Sequence, residues 1–583
     1  MKEYLRPYKG EVAALVVFQI VQALLSLYLP NLNADIINKG VASGNRDEIY
    51  RYGAAMLGLS ALQVAAAVVA AYFSARLAMR IGYEVRRDYF AAVEGFSLQE
   101  VERFSAGSLI TRATNDVQQI QMMFFQGFMI ILQAPITFLG GIVLALKQDV
   151  PLTGSLVVIL PVIAVVAGLL MSRMGPLFSQ LQKRLDNLNR IVREQITGVR
   201  VVRAFNREHT EAERFKDGND KLYATMLGVG RLMSLMMPLM MFVINLSNIA
   251  IMWFGGKRID SGGMEIGSLQ AFIQYLMMIL IALMMAAMMS VMMPRASVSA
   301  ERVNEVRDTV PSIVAPEHPY EPSDAHGEIS FDHVSFRYPG ADDPVLDDVS
   351  FTVKPGQTTA IIGATGSGKS TVIRLAQRMF DVTEGHVLVD GHDVREYDPH
   401  RLAELFGTVP QKALLFSGTV AGNLRFGNGD ATEEHMWKAL AIAQSDGFIR
   451  ENPKGLDAEV AQGGTNFSGG QRQRLCIARA VMRSPKIFTF DDSFSALDFA
   501  TDRRLRDALK PITRHSSVII VAQRISTVMD ADQILVMDNG RIVGKGTHEE
   551  LMRTCPIYQN IADSQLRQAD AAIAQSDARK EEG

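Results

Sequence analysis

Six separated apolar runs, each long enough to cross about 30 Å of hydrocarbon at roughly 1.5 Å per helical residue, confine the first half of this chain to a helical membrane architecture. They centre on residues 12–29, 54–75, 127–146, 152–171, 235–254 and 271–293. Hydrocarbon offers no hydrogen-bond partner to a backbone amide, so each run must satisfy its own as a helix. The segments between the runs are unequal in charge. Residues 76–126 carry Arg76, Arg80, Arg86, Arg87, Arg103 and Arg112, and residues 173–231 carry Lys183, Arg184, Arg190, Arg193, Arg200, Arg203 and Arg207. With Lys2, Arg6 and Lys9 they place the N-terminus and both long connections in the cytoplasm, which leaves 147–151 as a tight outer turn. Both long connections keep a helical apolar period, as in Leu181, Leu185, Leu188 and Val192, so the helices are expected to continue well beyond the bilayer. No small-residue cleavage site follows the first run, which reads as a retained membrane helix.

A length of 583 residues calls for more than one domain, and 48% hydrophobic residues are too many for a soluble enzyme and too few for a chain wholly in the membrane. The net charge of -3 carries no nucleic-acid signal. Cys476 and Cys555 lie in no CxxC pair or histidine cluster, so neither a disulfide framework nor a zinc site is expected. After the sixth run the pattern breaks at Pro294 and reaches a linker with Pro311, Pro316, Pro319 and Pro322. The expected division is a transmembrane domain over 1–310, a linker over 311–327, a second domain over 328–569 and a frayed polar tail over 570–583. From Glu328 strand-like and helix-like segments alternate, which implies a mostly parallel sheet covered by helices.

Within that second half, Gly363-Ala364-Thr365-Gly366-Ser367-Gly368-Lys369-Ser370 matches the P-loop pattern at every fixed position, after a strand-like run and before a helix-like one that opens with Thr371. Glycines let backbone N–H groups close around phosphate oxygens, Lys369 reaches the β- and γ-phosphates, and Ser370 is placed to ligate Mg2+. Downstream, the buried-strand run 487–490 ends in Asp491, placed as the carboxylate that holds the magnesium of bound ATP through water.

Between these two motifs stands Phe467-Ser468-Gly469-Gly470-Gln471, which resembles the signature segment of ATP-binding cassette (ABC) proteins. The resemblance extends along the chain in the family's order. Tyr338 resembles the aromatic that stacks on adenine, Gln411 the Q-loop glutamine near nucleotide and metal, and Ser495-Ala496-Leu497-Asp498 the D-loop. The first half resembles the exporter membrane domain of that family, with 107–112 followed by Asn115-Asp116, and 198–205, similar to its coupling regions. The fold implied is a six-helix transmembrane domain followed by an α/β P-loop ATP-binding cassette. In the family two such domains stack head to tail, so the resemblance implies an obligate dimer of half-transporters in which Ser468, Gly469, Gly470 and Gln471 face the partner's ATP.

Two residues depart from the family pattern. The residue after Asp491 is usually a glutamate that handles the attacking water and is here Asp492; the switch position, usually histidine, is Gln523. Aspartate sets its carboxylate roughly 1 Å further back, and a misplacement of about 1 Å can cost on the order of a hundredfold in rate. Glutamine donates a hydrogen bond but cannot carry an imidazolium's charge. Both changes weaken hydrolysis while sparing ATP binding. They point to a heterodimer similar to bacterial multidrug exporters with one degenerate and one active site, in which this chain completes its companion's active site. A homodimer with slow turnover is the bland alternative.

The fifth and sixth runs hold many methionines, among them Met233, Met237, Met241, Met284 and Met288, suited to repacking around varied apolar ligands and equally to lipid or helix packing. Asn245, Asn248 and Gln274 add polar groups without a membrane-centre carboxylate, so proton coupling has little support. A hydrophobic or amphipathic small molecule, drug or lipid, is the expected cargo, moved across a bacterial cytoplasmic membrane. Import or flipping of a lipid-like or siderophore-like ligand, and a non-transporting regulatory role, remain alternatives.

Overall fold

A computed structural model describes residues 2–322 and 324–565 of the chain, so the polar tail expected over 570–583 lies outside the described residues. The described residues form two units: those up to Ala91 with Leu109–Asp308, and Ala92–Ser108 with those from Thr309 on.

Among the described residues the first unit has six helices long and apolar enough to cross a membrane: Glu3–Val41, Arg46–Glu94, Ala106–Gln148, Val150–Thr197, Glu208–Asp260 and Ile266–Arg307, here TM1 to TM6. TM2 has 49 residues and TM5 has 53, more than twice the ~20 that hydrocarbon requires, so the helices do run on past the bilayer thickness. Pro161, Pro176, Pro238 and Pro294 lie inside these helices, a placement that membrane helices tolerate. TM6 is central. Its Phe272, Tyr275, Leu276 and Ile279 are fully buried in one cluster with Leu27 of TM1, Ala145 of TM3, Ile159 of TM4 and Ile251 of TM5. The Tyr275 hydroxyl donates to the Leu27 carbonyl at 3.0 Å. Polar ties close both ends of the bundle. Arg112 donates to Glu305 at 2.7 Å and Ser299 to Asp116 at 2.9 Å, while the turn at Asp149 is fixed by its bonds from the Leu152 amide and the Arg258 guanidinium, both 2.8 Å. Met233, Met237 and Met241 stand exposed on successive turns of TM5, whereas Met240 packs toward the cluster.

The second unit is built on two sheets. Strands β1 (Ile329–Phe336), β2 (Leu346–Val353), β4 (Glu384–Val389) and β5 (His392–Asp393) form an antiparallel sheet in the order β2-β1-β4-β5. Strands β3 (Thr358–Gly363), β6 (Phe406–Val409), β9 (Ile487–Asp491), β10 (Ser517–Val521), β11 (Gln533–Asp538) and β12 (Arg541–Gly546) form the order β12-β11-β3-β10-β9-β6. All but β12 run parallel, and β7 (Gly418–Thr419) pairs separately with β8 (Glu459–Val460). The parallel sheet follows from the strand-helix alternation. The separate antiparallel sheet is additional, because strand-helix alternation does not tell which strands pair across a long connection, as β1 does with β4.

Alternate residues of the central strands face opposite layers. Ile361, Ile519, Val521, Leu535 and Met537 point to the side that packs the helix Lys369–Ala376 and the antiparallel sheet. Ala360, Ile362, Val518, Ile520, Ile534 and Val536 point to the side that packs the helix Gly469–Met482. The two nucleotide motifs therefore begin helices on opposite faces of one sheet.

The membrane-half segment grouped with this second unit is Ala92–Ser108, which contains the helix Leu98–Phe104. It overlaps the expected coupling region 107–112 by only two residues. Leu98 packs against the second unit's core, and Ser97 with Glu100 forms a capping box at the helix start. Buried Glu100 also accepts from the Ser312 amide at 3.1 Å, and the Ser97 and Ser312 hydroxyls meet at 2.8 Å. Linker and helix are thus clamped together.

Candidate functional site

Strand β3 delivers the chain to Gly363, and the helix Lys369–Ala376 carries it away, so the intervening loop opens at the C-terminal edge of the parallel strands. Ala364, Thr365 and Gly366 are exposed, while Ser367, Gly368 and Lys369 turn inward. Gly368 has φ +96, and a Cβ there would stand 2.6 Å from Leu346 Cδ2 and 2.8 Å from the Val345 carbonyl oxygen. Only glycine fits that turn. Lys369 is 7% exposed, and its ammonium donates to the carbonyls of Gly363 at 3.0 Å and Ala364 at 2.6 Å. Burial pushes its pKa down, against the pull of Asp492 and Asp491.

Ser370 Oγ donates to Asp491 Oδ1 at 2.8 Å. Asp491 ends β9, two strands from β3, so the sheet order brings the two motifs together across 121 residues of chain. Burial raises the Asp491 carboxyl, while Ser370, Arg374 and Lys369 hold it down. Hard oxygen donors set side by side suit Mg2+, and the glycine loop with its buried lysine suits a triphosphate, so these residues fit the expected MgATP. Bound there, MgATP would supply the phosphoanhydride and the cation that neutralises it.

Asp492 follows with φ 47, a left-handed backbone uncommon for aspartate, held by its amide donating to the Val521 carbonyl at 2.9 Å. Its carboxyl is raised by burial and by neighbouring Asp491, with Ser495, Arg524 and Lys369 opposing. Gln523, exposed just past β10, donates through Nε2 to Asp492 Oδ2 at 3.0 Å. The two departures from the family pattern thus meet in one hydrogen bond.

Tyr338 lies past β1, half-buried, with its hydroxyl 3.1 Å from Thr371 Oγ1. Gln411 stands exposed in the loop after β6, at the same edge of the sheet but three strands from β3. Ser468 caps the helix Gly469–Met482: its hydroxyl accepts from the Gln471 amide at 3.3 Å while Gln471 Oε1 accepts from the Ser468 amide at 2.9 Å. Ser468 and Gly469 are exposed, and a Cβ on Gly470 would stand 3.2 Å from the Ala496 carbonyl, so the missing side chain lets the helix start lie on the D-loop. The structure therefore joins Tyr338, the P-loop, Asp491, Asp492 and Gln523, and leaves Ser468 and Gly469 exposed at the start of a helix on the other face of the sheet.

Two residues escaped the sequence reasoning. Arg374 donates to the Tyr338 hydroxyl at 3.1 Å. Gln565 brackets the switch segment, donating to the Gln523 carbonyl at 2.7 Å and accepting from the Ile525 amide at 2.8 Å. Helical spacing from Ser370 was the only signal for the first; nothing local marks the second.

Comparison with known proteins agrees with this geometry. Residues 12–284 match the ABC transporter transmembrane region, and residues 346–495 match the ABC transporter family. An uncharacterized ABC transporter ATP-binding protein of Mycobacterium tuberculosis strain H37Rv is 48% identical, over 97% of both chains. A multidrug efflux ATP-binding/permease protein of the same organism is 31% identical over 92% of this chain and 45% of its own length. The structure of a bacterial Atm1-family ABC exporter with ATP bound superposes with a TM-score of 0.79 at 24% identity, covering 97% of this chain and 98% of that one, which establishes the shared fold. On the two family matches, the long relative and the P-loop joined to Asp491, the chain belongs to the ABC transporter family, with an exporter-type membrane domain ahead of its ATP-binding domain.

Proposed function

We propose that this chain is one subunit of a heterodimeric, ATP-driven exporter of hydrophobic or amphipathic solutes. In this reading its P-loop, with Tyr338 and Gln411, holds MgATP at a weakly hydrolytic site, and Ser468–Gln471 completes the productive site of a companion half-transporter. The observation that carries it is the 3.0 Å bond from Gln523 to Asp492. A carboxylate one methylene short, and engaged by an amide, is poorly placed to orient water, while the phosphate cradle needs neither residue. The exposed capping box at Ser468 supports the second half of the proposal, since it begins a helix packed on the opposite face of the sheet from this chain's own P-loop helix. Exposed methionines on TM5 and the relative named for multidrug efflux support an apolar cargo.

The test is to reconstitute the chain alone and together with the half-transporter encoded beside it, and to measure phosphate release. The lone chain is expected to turn over slowly, and Asp492→Asn to change the pair's rate less than twofold. Brisk hydrolysis by the lone chain, abolished by Asp492→Asn, would sink the proposal. Movement of a labelled amphipathic dye in inside-out vesicles reports direction: accumulation supports export, depletion import.

A further inference from the structure

We propose that Arg374 is a positioning residue that holds Tyr338 as the platform for the adenine ring, and thereby favours a whole nucleotide over bare polyphosphate. The inference rests on Tyr338 being that platform. Arg374 lies on the helix Lys369–Ala376, one turn past Ser370, and its Nη1 donates to the Tyr338 hydroxyl at 3.1 Å. The same hydroxyl stands 3.1 Å from Thr371 Oγ1. A phenol has one hydrogen to give and lone pairs to receive, so accepting from Arg374 while sharing a hydrogen bond with Thr371 fixes its orientation. Two rings fix the rest: Phe336 and Phe380 meet the tyrosine edge-on, with centroids at 4.9 and 5.3 Å and planes at 81° and 88°. A ring locked in plane before the base arrives loses little freedom on stacking.

Arg374 also stands near the metal side of the site, where its charge favours the ionised form of Asp491. It therefore has two candidate roles, one felt only by a ligand with a base and the other by any polyphosphate. The direct hydroxyl contact, shared with Thr371, favours the first. A lysine could supply the charge but not the planar fork that sets the angle of approach.

Calorimetric titration of the full-length chain with ATP and, separately, with inorganic tripolyphosphate distinguishes the roles. Arg374→Ala is expected to raise the Kd for ATP about tenfold and to leave tripolyphosphate within about twofold. In a Tyr338→Phe background, which lacks the hydroxyl, the same substitution should add nothing further. Arg374→Lys, a gentler variant should the alanine disturb the helix, is expected to lose ATP affinity by a smaller factor while again sparing tripolyphosphate. Equal weakening of both ligands by either variant, or an undiminished effect of Arg374→Ala in Tyr338→Phe, would overturn the proposal. Tyr338→Ala separates the two layers of inference. If it leaves ATP affinity unchanged, the platform itself is wrong; if it weakens ATP while Arg374→Ala does not, only the positioning role falls.

Discussion

Restoring glutamate at position 492 and histidine at position 523 together is expected to raise ATP turnover of the lone chain by at least about tenfold, measured as phosphate release. Each single change should do less than half of this on a logarithmic scale, because the two side chains share a hydrogen bond and are not independent. The acid pair also makes a pH prediction. Burial raises the carboxyls of Asp491 and Asp492, so folding disfavours their charged forms. For a raised acid the penalty is absent below the unfolded value of 3.8 and complete above the folded value, so this contribution to stability falls as pH rises between them. Asp492→Asn without nucleotide should therefore melt higher than the parent at neutral pH, with the gap closing toward pH 4; a gap that widens on acidification would contradict the assignment. At this scale, the P-loop and Asp491 were legible because fixed spacing is demanded by phosphate geometry. Arg374 and Gln565 were not, since their partners lie in sequence-distant segments and their own neighbours carry no pattern.

Gly368→Ala tests the loop as an element. At φ +96 the added methyl would sit within 3 Å of Leu346 and Val345, so a local strain of about 1–3 kcal/mol and at least a tenfold loss of ATP affinity are expected by titration. The helix Leu98–Phe104 depends on a different device. Burial acts to raise the pKa of Glu100, yet hydrogen bonds from Ser97 and Ser312 outweigh it and leave the carboxyl below its ordinary value. The stabilisation that follows is fully present above the unfolded value of 4.5 and is lost as pH falls through the folded value. Glu100→Gln is expected to weaken the clamp by about 1–2 kcal/mol and to expose the linker over 309–322 to limited proteolysis. Cleavage unchanged from the parent would show that the clamp does not hold the linker. Element type followed from sequence for the long helices, because 20-residue apolar runs admit nothing else. The docking segment did not, since Leu98-Gln-Glu-Val-Glu-Arg-Phe104 reads as any amphipathic turn until Ser312 is brought beside it.

At the scale of the whole molecule, the expectation is that Ser468→Arg in this chain abolishes ATPase activity of the pair while leaving this chain's own ATP affinity within about twofold. A bulky cation at an exposed helix cap should leave the sheet and P-loop undisturbed but would occupy the face that the proposed companion needs. Full activity in that variant would remove the signature assignment. The six long apolar helices, the order of the two halves, the P-loop motif and the positions of Asp492 and Gln523 are all readable along the chain. These follow from local physics: hydrocarbon thickness sets run length, and phosphate geometry sets glycine spacing. Folding is what shows that Asp492 and Gln523 bond to each other, that Glu100 fastens a membrane-half segment to the linker, and that the helices Lys369–Ala376 and Gly469–Met482 pack on opposite faces of one sheet. Such pairings depend on strand order and crossover connections, which bring together residues tens to hundreds of positions apart and leave no periodic trace in the chain.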